Sequence, residues 1–228
     1  MSNRTGLFNT INLSEVLGYM LMLPPSTATR TAIEVFKNFP FATYFVHKNK
    51  LIYSKDGATH GHTHSLFEGH ENYKLIMTCK NPYSKWVSRY RLDMINKDSV
   101  KSNFNFQNSF FEHILDQVYV WEIENHLTGT ELKFSSIDKE VSYFIRTENI
   151  LEDYRAIPFI GGSDFDRSGR LEETLNQPVG KFPKKTMIKF NFPEDWRDYY
   201  TEESANLVYK LFQQDFEFYG YEPDSWKK

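Results

Sequence analysis

The chain is 228 residues long, with a formal net charge of −3, 40% hydrophobic and 25% charged residues. That balance belongs to a globular domain with a real core and argues against disorder and against a general nucleic-acid binder, which would be strongly basic. One cysteine, Cys79, excludes an internal disulfide framework and a multi-cysteine zinc site and suits a reducing compartment.

In chain order, Gly18–Leu23 (GYMLML) is a short apolar run that reads as a buried strand, ended by Pro24-Pro25. The loop PPSTAT follows, and then a helical stretch from Arg30 to about Asn38. Phe41–His47 reads as a second strand. Residues 55–70 read as loop and hold His60, His62, His64 and His70. Tyr73–Cys79 reads as a third strand, buried on both faces. Lys80-Asn81-Pro82 is a turn, and Tyr83 to Ile95 reads as a helix. A polar loop over 97–108 precedes a helix within Gln107–Asn125. Val141–Ile145 reads as a strand and Glu148–Ala156 as a helix. Residues 160–186, rich in Gly, Pro, Lys and Asp, read as a long loop of the kind that forms lids. Thr201–Tyr219 is the strongest helix. Thr201 is its N-cap, Glu202 and Glu203 suit the positive helix start, and Leu207, Val208, Leu211, Phe212 and Phe216 form its apolar stripe.

The alternation of strand, loop and helix predicts an α/β fold in one domain, 1–228, with a central parallel sheet flanked by helices. Ligands in such folds bind at the carboxyl ends of the strands, which directs attention to PPSTAT and KNPYS. In the second segment, Lys80 supplies charge and the helix start supplies N–H groups for an anion. Ser88, one to two turns into the helix, could face the same anion. A solvated turn lysine and a surface serine would have the same spacing.

The segment KLIMTCKNPYSKWVSRYR (74–91) resembles the 3′-phosphate-binding motif of the sulfotransferase superfamily. That motif is an apolar strand, then Arg-Asp/Asn-Pro, two residues, Arg, two residues, Ser and an aromatic. Here Lys80, Asn81, Pro82, Lys85, Ser88 and Tyr90 hold those places. FIRTENILEDY (144–154) resembles the R-x-E-N-L-x-x-D segment of carbohydrate sulfotransferases, and residues 196–222 resemble that family's C-terminal Y-Y-x-x-E…D-F-x-x-F-G-Y helix. The matches run in the family's order. The resemblance implies a three-layer fold like that of the P-loop NTPases. It implies 3′-phosphoadenosine-5′-phosphosulfate (PAPS) as donor, with 3′-phosphoadenosine-5′-phosphate (PAP) as product. Lys80 and Ser88 would grip the 3′-phosphate, lysine keeping the charge of the usual arginine without its bidentate fork. Glu148, Asp153, Asp215 and Tyr221 read as structural, an acid at a helix start or a capped chain end accounting for each.

The family's first loop, roughly Pro-Lys-x-Gly-x-Thr, cradles the 5′-phosphosulfate, and its lysine stabilises charge on the leaving oxygen. Here the loop runs Pro24, Pro25, Ser26, Thr27, Ala28, Thr29, then Arg30. Pro24 and Thr29 match. Pro25 stands where the lysine would be, and Thr27 where the glycine would be. Small hydroxyl residues and helix N–H groups can still hold an anion, with Arg30 the nearest cation. The other reading is a plain strand-to-helix turn capped by Ser or Thr, and so a family member of weak or lost activity.

An acceptor hydroxyl needs a base, and the family's bacterial and carbohydrate-type members place a histidine before the third strand. His62 is the first choice, with His60 and His64 as alternatives. His-x-His-x-His could instead bind a metal such as zinc, or be a solvated polar loop. Cys79 reads as a small buried strand residue. Lys181, Lys184 and Lys185 could close over a phosphate or sit in a solvated loop. The expectation is therefore a soluble cytoplasmic sulfotransferase of bacterial or viral type. It would need no metal and act on a saccharide hydroxyl. Nucleic acid and membrane would not be partners, since Val16–Leu23 is too short to span a bilayer. Aromatic content of 17% is compatible with a sugar-stacking surface.

Overall fold

A computed structural model of the chain describes residues 10–24, 28–47, 50–58, 67–96, 107, 109–115, 140–177 and 184–228. Its strands are β1 (Thr10–Ser14), β2 (Tyr19–Met22), β3 (Ala42–His47), β4 (Lys50–Asp56), β5 (Lys74–Cys79) and β6 (Val141–Arg146). Its helices are α1 (Thr29–Phe36), α2 (Pro82–Asn96), α3 (109–115), α4 (Ile150–Arg155), α5 (Asp164–Arg167), α6 (Arg170–Asn176), α7 (Lys184–Lys189) and α8 (Glu202–Tyr219). They form two compact units, Met1–Cys79 with Asp138–Gly180, and Lys80–Ile137 with Lys181–Lys228. No helix among the described residues is long and apolar enough to cross a membrane.

The first unit holds a six-stranded sheet in the order β4-β3-β1-β2-β5-β6. The fold is α/β as expected, but the sheet is mixed rather than parallel. Strands β2, β5 and β6 run parallel, with Met22 beside Met77 and Cys79 beside Arg146. The pairs β1–β2, β1–β3 and β3–β4 are antiparallel. Connection length explains the difference. The turn between β1 and β2 spans four residues, closed by the Gly18 N–H donating to Ser14 O at 2.9 Å, with Gly18 at φ 71°. A crossover needs a dozen residues or more, so so short a link can only make a hairpin. The same holds for the two residues between β3 and β4.

One face of the sheet, with Leu21, Leu23, Ile76 and Ile145, packs on Ala32, Ile33, Val35 and Phe36 of α1, Tyr154 of α4, Phe165 of α5 and Leu171 of α6. Residues of opposite parity, Met20, Met22, Leu75, Met77 and Cys79, are buried as well. Both faces of the central strands are therefore covered, which is why those strands read as unbroken apolar runs. The expected long loop over 160–186 instead contains α5, α6 and the start of α7. Ser163 caps α5 by accepting the Asp166 N–H. Arg155 then donates to Asp166 at 3.0 Å and to Glu172 at 2.7 Å, tying α4 to both short helices.

In the second unit α2 packs along α8. Tyr83, Val87 and Tyr90 of α2 share a core with Phe110 and Ile114 of α3, Tyr199, Tyr200, and Val208 and Phe216 of α8. The expected Thr201 cap is present as a capping box with Ser204. At the other end Gly220 adopts φ 71°, and the Gly220 and Tyr221 N–H groups donate to Glu217 O and Phe216 O. This is a Schellman closure, and it accounts for the Tyr219-Gly220-Tyr221 ending: glycine for the left-handed turn, an aromatic after it to pack back on the helix. Arg91 fastens α2 further, donating to Tyr199 Oη at 3.1 Å and Pro193 O at 2.6 Å.

Candidate functional site

Lys80 follows the last residue of β5, and α2 begins two residues later. Asn81 caps the helix: its Oδ1 accepts the Tyr83 N–H at 3.0 Å and its carbonyl accepts the Lys85 N–H at 2.9 Å. Pro82 takes the first helical position, where a missing N–H costs nothing. The turn brings Lys80 back along the helix. Its Nζ donates to Ser88 Oγ at 2.7 Å, and Ser88 Oγ donates to Ser84 O at 3.0 Å. Lys80 and Ser88 are both half-buried. An ammonium and a hydroxyl in contact beside the N–H groups of a helix start form an arrangement suited to a phosphate oxyanion.

The other motif positions of α2 serve packing. Burial lowers the Lys85 ammonium pKa from its usual value, against the opposing field of Asp215 on α8. Tyr90 is buried and donates to Ser109 Oγ at 3.1 Å. Asp153, read as structural, links β6 to α4: it accepts the Arg146 N–H at 2.7 Å and Asn149 Nδ2 at 3.1 Å.

The first loop is described from Ala28 onward, and Pro25, Ser26 and Thr27 lie outside the described residues. Ala28 has φ 58° and ψ 30°, a left-handed conformation that costs a residue with a Cβ about 1 kcal/mol or more. Thr29 Oγ1 donates back to Pro24 O at 2.9 Å, drawing the two ends of the loop together. At the start of α1 the N-cap residue Ala28 offers no side-chain cap, the first turn holds no acidic residue, and Arg30 is exposed there. The capping expected of Ser or Thr is therefore not supplied by Thr29, whose hydroxyl is turned to Pro24. A helix start with a neighbouring guanidinium suits an anion. The α1 start belongs to the first unit, and Lys80 and Ser88 belong to the second.

His60, His62 and His64 lie outside the described residues, as does Lys181, and so do the side chains of Lys184 and Lys185. His70 is described: its Nδ1 lies 2.7 Å from Phe67 O in a turn. Among the described residues no three His, Cys, Asp or Glu side chains gather as metal ligands. Cys79 is a buried free thiol. Sequence reasoning passed over His113 of α3, whose buried ring meets Tyr90 edge-on at 5.2 Å and lies 3.8 Å from Asp93, itself bonded to Arg89. It also passed over the C-terminal residues that bond to Asn81 and Tyr83. A contact made across 140 residues or more leaves no local pattern to read.

No family model matches the chain, and comparison with curated proteins and with solved structures found no match either.

Proposed function

We propose that the chain transfers a sulfuryl group from PAPS to a hydroxyl, that of a carbohydrate, on a three-layer fold of the P-loop type. The observation that carries the reading is the Lys80–Ser88 contact of 2.7 Å beside the Asn81-capped start of α2. These are the residues to which the motif resemblance assigns the 3′-phosphate, and their chemistry fits it.

When bound, PAPS supplies the sulfuryl group and, in its bridging phosphate oxygen, the leaving atom. Lys80 and Ser88 hold the 3′-phosphate and fix the nucleotide's depth. The N–H groups of the α1 start and the Arg30 guanidinium offset charge on the departing 5′-phosphate. His62 removes the proton of the acceptor hydroxyl as that oxygen bonds to sulfur. Rate enhancement comes from placement and electrostatics.

The test is calorimetric titration with PAP and with 5′-AMP. Binding of PAP that requires the 3′-phosphate supports the reading, and absence of PAP binding overturns it. Pro25, at the place of the family's loop lysine, favours a second reading as a nucleotide- or glycan-binding module without turnover. PAP binding without sulfate transfer to any saccharide would select that reading.

A further inference from the structure

The residues after α8 return to the start of α2. Tyr83 Oη donates to Pro223 O at 2.6 Å, and Asn81 Nδ2 donates to Ser225 Oγ at 2.8 Å. The tail is itself folded, with the Ser225 N–H donating to Glu222 O and the Lys227 N–H to Asp224 O. Trp226 packs near the Tyr200 ring, whose hydroxyl donates to Tyr83 O at 2.8 Å. Lys228 is anchored by Asp198. Asn81 is 5% exposed and Tyr83 1% exposed, while Ser225 is half-buried and Pro223 exposed, so the tail closes over two buried residues from the solvent side through part-buried bonds.

The two tethered residues lie between Lys80 and Ser88. Asn81 has a double task. Its Oδ1 caps α2 through the Tyr83 N–H, and its Nδ2 is held by Ser225. The second bond fixes the amide plane that makes the first possible. Loss of the Ser225 bond removes one restraint on that amide, and the cap and the turn carrying Lys80 are then held less tightly relative to Ser88. Placement within a few tenths of an ångström decides how well a cation and a hydroxyl share one oxyanion.

We infer that the C-terminal tail is a positioning element of the anion site, with Ser225 and the Pro223 carbonyl setting the turn that presents Lys80 to Ser88. The inference rests on the reading of that pair as the 3′-phosphate grip. Ser225 touches no ligand; it acts through Asn81.

The experiment uses the full chain with Ser225→Ala and Ser225→Thr, titrated with PAP and 5′-AMP, together with amide hydrogen exchange at Tyr83. Ser225→Ala is expected to weaken PAP binding about tenfold while leaving 5′-AMP within about twofold, and to speed Tyr83 exchange about tenfold. Ser225→Thr, which keeps the hydroxyl, restores both. A folded Ser225→Ala variant with unchanged PAP affinity overturns the inference even if Tyr83 exchanges faster, because the tail is then only a structural tie. If the unsubstituted chain binds neither nucleotide, the PAPS reading fails separately. Faster Tyr83 exchange in Ser225→Ala would then still support control of the turn by the tail, and unchanged exchange would overturn it.

Discussion

Replacing Lys80 by alanine isolates the step on which the functional reading turns. A hydrogen bond from a charged donor is worth about 1.5–3 kcal/mol, so loss of the ammonium predicts a PAP dissociation constant raised about 10- to 150-fold. Ser88→Ala removes the hydroxyl assigned to the phosphate on the proposed reading and also a contact that orients the lysine, since Lys80 Nζ rests on Ser88 Oγ at 2.7 Å. Loss of the Ser88 contact loosens Lys80, so Ser88→Ala also costs affinity through the lysine. The double variant should therefore lose less than the sum of the two single losses, with a coupling of about 0.5–2 kcal/mol. Titrations of the four proteins with PAP and with 5′-AMP measure this cycle. Both side chains are half-buried, so unfolding free energies should change by no more than about 1 kcal/mol. Additive losses, equal losses for 5′-AMP, or a change below about threefold in Lys80→Ala would refute the assignment.

Three further outcomes are expected. His62→Ala should lower turnover about 100-fold or more with PAP affinity unchanged, and an equal loss in both would remove His62 from the role of base. Gly161→Ala should destabilise by about 2 kcal/mol or more in urea unfolding, because a Cβ there would lie 2.0 Å from Arg155 O, a backbone atom with nowhere to move. A loss below about 0.5 kcal/mol would show that the turn after α4 relaxes freely. Finally, burial pushes the Tyr83 and Tyr199 hydroxyls up to about 12. An unfolded tyrosine ionises near 10, so their contribution is intact below about pH 10 and is lost as pH rises toward 12. Lys85 works in the opposite sense: its lowered pKa adds stability as pH climbs through it toward the unfolded value. The urea midpoint should fall between pH 10 and 12, and the gain that Lys85 gives as pH rises toward about 10.5 should be absent in Lys85→Met. A flat profile would count against burial of the two phenols.

Four strands were legible: β3, read as Phe41–His47 and present at Ala42–His47, and the three parallel strands, whose surroundings are more uniform. β2, β5 and β6 sit side by side and parallel, and β2 and β5 are apolar along their length because both faces are covered. β1 was missed because it buries polar residues beside Ile11 and Leu13. Asn12 and Ser14 are nearly inaccessible, and Asn12 Oδ1 accepts from Thr43 Oγ1 at 2.8 Å. Its TINLS sequence is thus satisfied by a partner 31 residues away, which no local pattern reveals. β4 was missed for the opposite reason: it lies at the end of the sheet order and opens with the exposed Lys50, a residue that blunts an edge and also reads as loop. The short helices α5 and α6 span four and seven residues, below the length at which an apolar period can show.

The candidate site divides along the same line between local and distant causes. Lys80 and Ser88 meet because a capped helix begins between them, and cap, proline and helix period are all written in consecutive residues. Thr201 and Gly220 were readable on the same terms, as a helix start and a helix stop. What consecutive residues cannot state is which distant segment holds the turn still. Asn81 in the sequence is a good helix cap and nothing more. Only the folded chain shows that its second amide hydrogen-bonding group is engaged by Ser225, so that the accuracy of a motif near the middle of the chain depends on residues near its end. A motif of this kind specifies which atoms meet the ligand, whereas the long-range bonds around it specify how steadily they are held.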